Sequence, residues 1–197
     1  MSYQLIKQEA LNLFAIHGYE GTSLADIAKQ VGIKKQSIYT HFKGKDALFM
    51  QILKETFADE LKKEQDYIKR YFDKTLKEFL WADLQHFIHR FHHDNQLKFW
   101  LRNTFLPPRH LYDEVTRELY QYIDQVDLLY FDRFQYAYEK EEISQDPNIA
   151  VMSFSALLDS IGVELIYGGE ARTNRKLHAA WKIFWLGITY PDRTSQK

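Results

Sequence analysis

Between Thr22 and Lys45 (TSLADIAKQVGIKKQSIYTHFKGK) the apolar and polar positions follow the period of two short helices joined by a tight turn. Leu24, Ile27, Ala28 and Val31 recur at i, i+3, i+4 and i+7, the stripe of an amphipathic helix. Ser23 precedes them as a cap for free backbone N–H groups, and Asp26 completes a capping box. Gly32 supplies the left-handed backbone that ends a helix, and Ile33 anchors the turn. A second helix, Lys34 to Phe42, commits only Ile38 and Phe42 to an interior. Lys35, Gln36, Ser37, Tyr39, Thr40 and His41 are left facing outward, and each can donate or accept a hydrogen bond. A helix with so thin a stripe does not fold alone and must rest on its neighbours. Propped in that way, its polar face fits a DNA major groove, where base edges display readable donors and acceptors.

Downstream the pattern stays helical. One long helix runs from Lys45 to about Lys69 with Leu48, Phe49, Ile52, Phe57 and Leu61 inward. Another, from about Lys74 to His93, stacks Leu80, Leu84, Phe87, Ile88 and Phe91. A shorter helix around Gln96 to Phe105 is stopped by Pro107-Pro108, and a long one follows from Arg109 to Lys140. Asp146-Pro147 reads as an N-cap with proline in the first turn, opening a helix to Tyr167. Gly168-Gly169 breaks it, and Thr173 or Asn174 caps a last helix that ends near Gly187. The predicted fold class is all-α, about nine helices.

The N-terminal quarter resembles the tetracycline-repressor (TetR) family of bacterial one-component regulators. The residues that carry the likeness are Ile6, Ala10, Leu13, Phe14, Gly18, Tyr19, Ser23, Ile27-Ala28, Gly32-Ile33, Ile38-Tyr39, His41-Phe42, Lys45 and Leu48-Phe49. Lys34 stands where the family often has a Ser or Thr cap, and Gly44 where a second capping residue is common. The resemblance implies a three-helix helix-turn-helix domain over 1–45 and a larger helical domain over 46–197 for effector binding and dimerisation. It implies Lys35, Gln36, Ser37 and Thr40 at base edges or nearby phosphates, with Ser23, Tyr39, His41 and Lys45 on the DNA backbone. It also implies a pocket whose walls include Phe87, Phe91, Trp100, Phe105, Tyr120, Phe134 and Tyr138, suited to a hydrophobic or aromatic effector. In TetR-like proteins the last two long helices form a four-helix bundle across a two-fold axis, which puts Leu158, Ile161, Leu165, Leu177, Ala180, Trp181 and Phe184 at a homodimer interface. The mechanism implied is a repressor on palindromic, double-stranded operator DNA, released when ligand moves the connecting helix.

Charge is uneven along the chain. Residues 1–45 hold six lysines against Glu9, Glu20 and Asp26, net +3, while the other 152 residues carry 20 bases and 24 acids, net −4. The positive end is the DNA-reading end, and two modest phosphate binders side by side serve better than one. There are no cysteines, so no disulfide framework or thiol chemistry is available. By this reading no apolar run approaches the roughly 18 residues needed to span a bilayer. Met1 to Lys7 lacks a signal-peptide core, which makes the cytoplasm the expected compartment and leaves no membrane partner.

His86, His89 and His93, with Asp83 one turn before, have the spacing of metal ligands, but they fall opposite the Leu80, Leu84, Phe87, Phe91 stripe and read as a water-facing side. No metal and no cofactor is expected. The chain lacks DDxxD, GxSxG, HExxH, a P-loop and a Rossmann glycine pattern, so it does not read as an enzyme. The alternatives are a helical small-molecule-binding enzyme or an adaptor that does not bind DNA.

Overall fold

The computed structural model describes residues 2–190. Among the described residues there are nine α-helices and no strand: α1 (Ser2–His17), α2 (Leu24–Val31), α3 (Lys35–Tyr39), α4 (Lys45–Tyr71), α5 (Leu76–His93), α6 (Asn95–Phe105), α7 (Tyr112–Glu139), α8 (Pro147–Tyr167) and α9 (Gly169–Thr189), with a 3-10 turn at Arg109–Leu111. They form two compact units. The first holds the chain up to Glu60 together with Arg90–Tyr122; the second holds Leu61–His89 together with the chain from Ile123 onward.

In the first unit, α1 packs on α2 and α6. Ile6, Ala10 and Phe14 from α1 are fully buried, as are Ile27, Ile38, Leu48, Phe49, Leu53 and Phe99. The centre is aromatic: Phe49 meets Phe14, Tyr19 and Phe99 edge-on with centroids 5.4, 5.1 and 5.5 Å away, the geometry favoured by ring quadrupoles. The same unit holds an ion pair on a buried carboxylate, Glu60. Arg90 grips Glu60 with two parallel hydrogen bonds of 2.9 and 2.8 Å and reaches Asp94 at 2.8 Å. Asp94 in turn caps α6, accepting from the N–H of Gln96 at 2.8 Å. Burial opposes the Arg90 charge, but the hydrogen bonds and charges of Glu60 and Asp94 more than offset it and hold the guanidinium above its ordinary pKa.

The second unit is built on Leu76, Phe79 and Leu80 of α5, Phe134 and Ala137 of α7, Phe154 and Ile161 of α8, and Leu177 and Ile188 of α9. Phe154 is its hub, with Tyr130, Phe134 and Phe184 at 5.7, 6.2 and 5.7 Å. The N–H groups of Ser144 and Gln145 both donate to the Ile188 carbonyl, tying the approach to α8 to the end of α9. Arg133 is fully buried here. One nitrogen donates to the Lys74 carbonyl at 2.6 Å, and the rings of Phe72, Phe79 and Tyr136 each lie 5.6 Å from the guanidinium carbon. Nε and Nη1 are buried without a hydrogen-bond partner. Burial therefore pulls the Arg133 pKa down, and Glu142 and Tyr136 only partly offset it.

Two expectations are corrected. Thr173 and Asn174 do not cap α9, which starts at Gly169; Gly169 at φ 71° turns the chain in one residue, and Thr173 sits inside the helix with its hydroxyl on the Gly169 carbonyl at 2.9 Å. One helix, α8, is long and apolar enough to cross a membrane, with a mean hydropathy of 1.8 over its best window, of which 44% is buried inside the protein. Its serines and Gly162 interrupt the apolar run by eye without lowering the average to that of a polar helix.

The guanidiniums of Arg90 and Arg133 should respond oppositely to removal. Arg90→Ala strips a bidentate partner from a buried carboxylate and should destabilise the fold by about 3–5 kcal/mol. Arg133→Met replaces a cation with unused donors by an apolar chain and should leave stability unchanged or raise it by about 1–4 kcal/mol. Urea unfolding of both variants checks the contrast; equal losses would contradict it.

Candidate nucleic-acid interface

α2 is defined at both ends by its own sequence. Ser23 accepts from the Asp26 N–H at 3.2 Å, and Asp26 accepts the Ser23 N–H at 3.0 Å, the capping box anticipated from the sequence. Gly32 adopts φ 78°, and the Ile33 N–H closes on the Ala28 carbonyl at 2.9 Å. The turn delivers the chain directly into α3.

α3 is shorter than the expected Lys34 to Phe42, because Lys34 caps it without a side-chain bond and Thr40 already ends it. Ile38 is its one buried residue. Lys35, Gln36, Tyr39, Thr40 and His41 are exposed, Ser37 is half-buried, and Tyr39 keeps 52% of its surface. The Thr40 hydroxyl donates to the Ser37 carbonyl at 2.7 Å, which leaves its lone pairs outward as acceptors.

Ser23 and Lys45 have work inside the protein as well. The Ser23 hydroxyl donates to Asp26 at 2.6 Å. Lys45 Nζ donates to the carbonyls of Tyr19 and Thr22 at 2.9 and 3.0 Å and lies 3.8 Å from the Tyr19 ring centroid. It closes the entrance of the helix-turn-helix onto α4.

Five residues here, Asp46, His110, Tyr3, Lys7 and Glu55, escaped the sequence reading. The Tyr19 hydroxyl donates to Asp46, whose other oxygen lies 3.4 Å from His110 in the 3-10 turn. Tyr3 stacks on Phe42 with centroids 5.1 Å apart and meets His41 edge-on at 5.7 Å. Lys7 is buried and pairs with Glu55. The available signal was Lys7 beside Ile6 and one turn from Tyr3 and Ala10: a cation on the edge of a buried stripe needs a partner.

The pocket and dimer residues scatter. Phe91, Trp100, Phe105 and Tyr120 lie in the first unit and Phe87, Phe134 and Tyr138 in the second. Tyr120 and Tyr138 are 60% and 45% exposed and stand on the surface. Phe134 is fully buried against Phe154 as core. Phe87, Phe91, Trp100 and Phe105 are half-buried, and Trp100 meets Tyr122 at 5.7 Å. A cleft of about 330 Å³ in the second unit is lined by Asp124, Asp127, Leu128, Phe131, Asn148, Val151 and Met152, none of the expected seven. Burial raises the Asp127 carboxyl, and Asp124 and Asp159 raise it further.

Of the expected interface, Ile161, Leu165, Leu177 and Phe184 are buried within the protomer, while Leu158, Ala180 and Trp181 are half-buried. Trp181 packs on Trp81 and Phe184. Within the protomer these residues hold α8 and α9 to their own unit. The large apolar residues left exposed on the same helices are Ile149, Met152, Val163 and Tyr167 on α8, Ile183 and Leu186 on α9, and Tyr190 just after it. Among the described residues no three His, Asp or Glu side chains are disposed to hold a metal. Asp83 is buried on the Tyr130 hydroxyl at 2.6 Å, and His86 stacks on Tyr67.

A capped helix, a glycine turn and a short helix with a polar outer face, braced by α1 and α4, define a helix-turn-helix DNA-binding module. Residues 6–52 match the model of the bacterial regulatory proteins of the tetR family. Over 49 residues the chain is 49% identical to the biofilm operon icaADBC HTH-type negative transcriptional regulator IcaR of Staphylococcus aureus, a match covering 25% of this chain and 26% of that protein. The Staphylococcus epidermidis IcaR is 40% identical over 52 residues, 26% of this chain and 28% of its own length. The match thus spans about a quarter of these curated relatives. The fold is shared along nearly the whole chain with FadR of Bacillus subtilis, solved in complex with stearoyl-CoA (20% identity, 94% of this chain and 99% of that one, TM-score 0.71). It is shared as well with a TetR-family regulator of Agrobacterium tumefaciens (18% identity, 95% and 97%, TM-score 0.75).

The Asp46 tie carries a pH signature. The Tyr19 hydrogen bond lowers the Asp46 pKa, burial opposes this, and His110 adds to the lowering. A carboxyl depressed by folding stabilises fully above its unfolded pKa and loses that contribution as pH falls through the folded value. The tie should therefore survive mild acid and release only below the ordinary carboxylate range, as an acid titration of the Tyr19 ring signal by NMR would show; release near neutral pH would contradict it.

Proposed function

We propose that this protein is a one-component transcriptional regulator that binds palindromic operator DNA as a homodimer, represses, and is released by a hydrophobic or aromatic small molecule. The observation that carries the reading is α3: one buried anchor and an outward face of Lys35, Gln36, Tyr39, Thr40 and His41. A polar outer face is ordinary on a solvated helix, but one this short, with a single buried anchor, presents donors and acceptors for which a major groove has a use. Lys35, Gln36, Ser37 and Thr40 read bases or nearby phosphates. Ser23, Tyr39, His41 and Lys45 clamp the backbone, Ser23 and Lys45 with what their internal bonds leave over. Residues 1–45 form the DNA-reading domain, 46–197 the effector and dimer domain, and the protein works in the cytoplasm without a catalytic role.

Repression is supported by IcaR, which is a negative transcriptional regulator. An apolar effector is supported by FadR, the same fold holding stearoyl-CoA in another protein, and by half-buried Phe91, Trp100 and Phe105 in the first unit of this one. The exposed apolar stripes of α8 and α9 support a two-fold partner, since a palindrome presents half-sites about 34–36 Å apart to two identical readers.

The deciding experiment is a gel shift of the DNA upstream of the protein's own gene, repeated with apolar and polyanionic compounds while tryptophan fluorescence is recorded. Gln36→Ala should relax discrimination at particular base pairs by about 1–3 kcal/mol, and Tyr39→Phe should weaken specific and nonspecific duplexes alike. Apolar compounds should quench the tryptophans and free the DNA. Release by polyanions alone would reject the effector reading, and no shift at all the DNA reading.

On assembly, Ile183 is 69% exposed, so Ile183→Glu costs the protomer little but places a charge twice in a symmetric interface. It should yield a folded monomer by light scattering with operator affinity lost. A stable dimer in this variant would move the interface elsewhere.

A further inference from the structure

Lys7 is a poor guest where it stands. It is 8% exposed on α1, and its ammonium finds compensation on α4, where Nζ lies 2.7 and 2.6 Å from the two oxygens of Glu55. Glu55 is braced from the preceding turn of α4 by the Gln51 side-chain amide at 2.8 Å. The same ammonium lies 4.7 Å from the centroid of the Tyr3 ring. Tyr3 is stacked on Phe42 with an interplanar angle of 10°, and its ring meets His41 edge-on at 5.7 Å. Phe42 is buried and His41 is exposed. These contacts run unbroken from a carboxylate on α4, through two side chains on the first turns of α1, to the residue that follows the recognition helix on its outward side.

Each link constrains the next. A nearly buried ammonium must follow its carboxylate, because leaving it unpaired costs far more than moving it. A cation over an aromatic face and a parallel ring together fix that ring's position. A fixed ring edge-on to an exposed imidazole limits the rotamers the imidazole can take.

We infer that Glu55, Lys7 and Tyr3 are positioning residues that hold His41 and the end of α3 in their DNA-contacting arrangement, so that the placement of α4 is read at the DNA surface through this chain. The inference rests on the DNA-binding function proposed above. None of the three needs to touch DNA.

The sign of one substitution separates this from simple electrostatics. Glu55→Gln removes a negative charge from a module that approaches a polyanion, so charge alone would tighten binding. The positioning chain requires the reverse: affinity for a mixed-sequence duplex and for the DNA upstream of the gene should both fall by about threefold to tenfold, the scale of one lost contact. Tyr3→Ala should fall as far, and Tyr3→Phe, which keeps the ring, should bind like the wild type. Because the residues act in series, Glu55→Gln combined with Tyr3→Ala should be no weaker than either alone.

Binding by Glu55→Gln that equals or exceeds the wild type overturns the chain, and so do additive losses in the double variant. If Glu55→Gln does not fold, the Tyr3→Ala and Tyr3→Phe pair decides the same question at a ring near the surface. If the wild type binds neither duplex, the DNA reading itself has failed. The chain is then judged on the His41 ring protons by NMR, which should shift in Glu55→Gln and stay unmoved if the link does not exist.

Discussion

A five-residue helix that buries one side chain has almost no stability of its own, and the DNA-facing surface of this protein depends on how Ile38 is seated. Nothing local fixes the direction of α3: Lys34 gives it no side-chain cap. Its aim comes from what surrounds it. Gly32 sets the angle at which the chain enters, Phe42 closes the far end under Tyr3, and Lys45 ties the start of α4 back to the carbonyls that precede α2. The recognition face is a tertiary product displayed on a secondary element.

That arrangement explains why the first unit invests in both rings and ions. The Phe14, Phe49 and Phe99 cluster supplies non-directional cohesion, which would tolerate small rotations of one helix on another. The Arg90, Glu60 and Asp94 network does not tolerate them, since a bidentate fork fixes both distance and plane. It also caps α6, so the register of that helix is coupled to α4 through Asp94. Apolar contacts hold the unit together, and the buried fork sets the geometry within it.

Most of the fold was legible from period and punctuation. The α2 capping box, the Gly32 turn, the Asp146-Pro147 start of α8 and the stop at Pro107-Pro108 each lie in a few contiguous residues, where local chemistry decides the outcome. Local signals failed where two readings compete. Thr173 has the chemistry of a cap, but Gly169 reverses the chain in one residue and the helix has already begun. The site was legible only as far as one helix carries it. The outward face of α3 follows from its sequence, whereas Tyr3 to His41 and Asp46 to His110 join residues tens of positions apart. The aromatic positions were hardest, because the resemblance puts Phe134 and Tyr120 alike on a pocket wall, and only packing shows one sealed against Phe154 and the other largely in solvent.

The same ambiguity shapes the last two helices. A helix in a protomer can send its apolar residues to its own core or to a partner, and composition does not distinguish the two. Ile161, Leu165, Leu177 and Phe184 are committed to the core of their own unit. What remains exposed on α8, Ile149, Met152, Val163 and Tyr167, lies along one side of the helix, with Asp159 the charged member of the stripe. Burial already pushes the Asp159 carboxyl up, and a partner laid over that stripe would push it further unless it brought a cation. An acid in the middle of an apolar face costs stability in any contact that does not match it, and so favours one register over its neighbours. In the proposed homodimer such an acid would set the register of the contact without adding to its affinity.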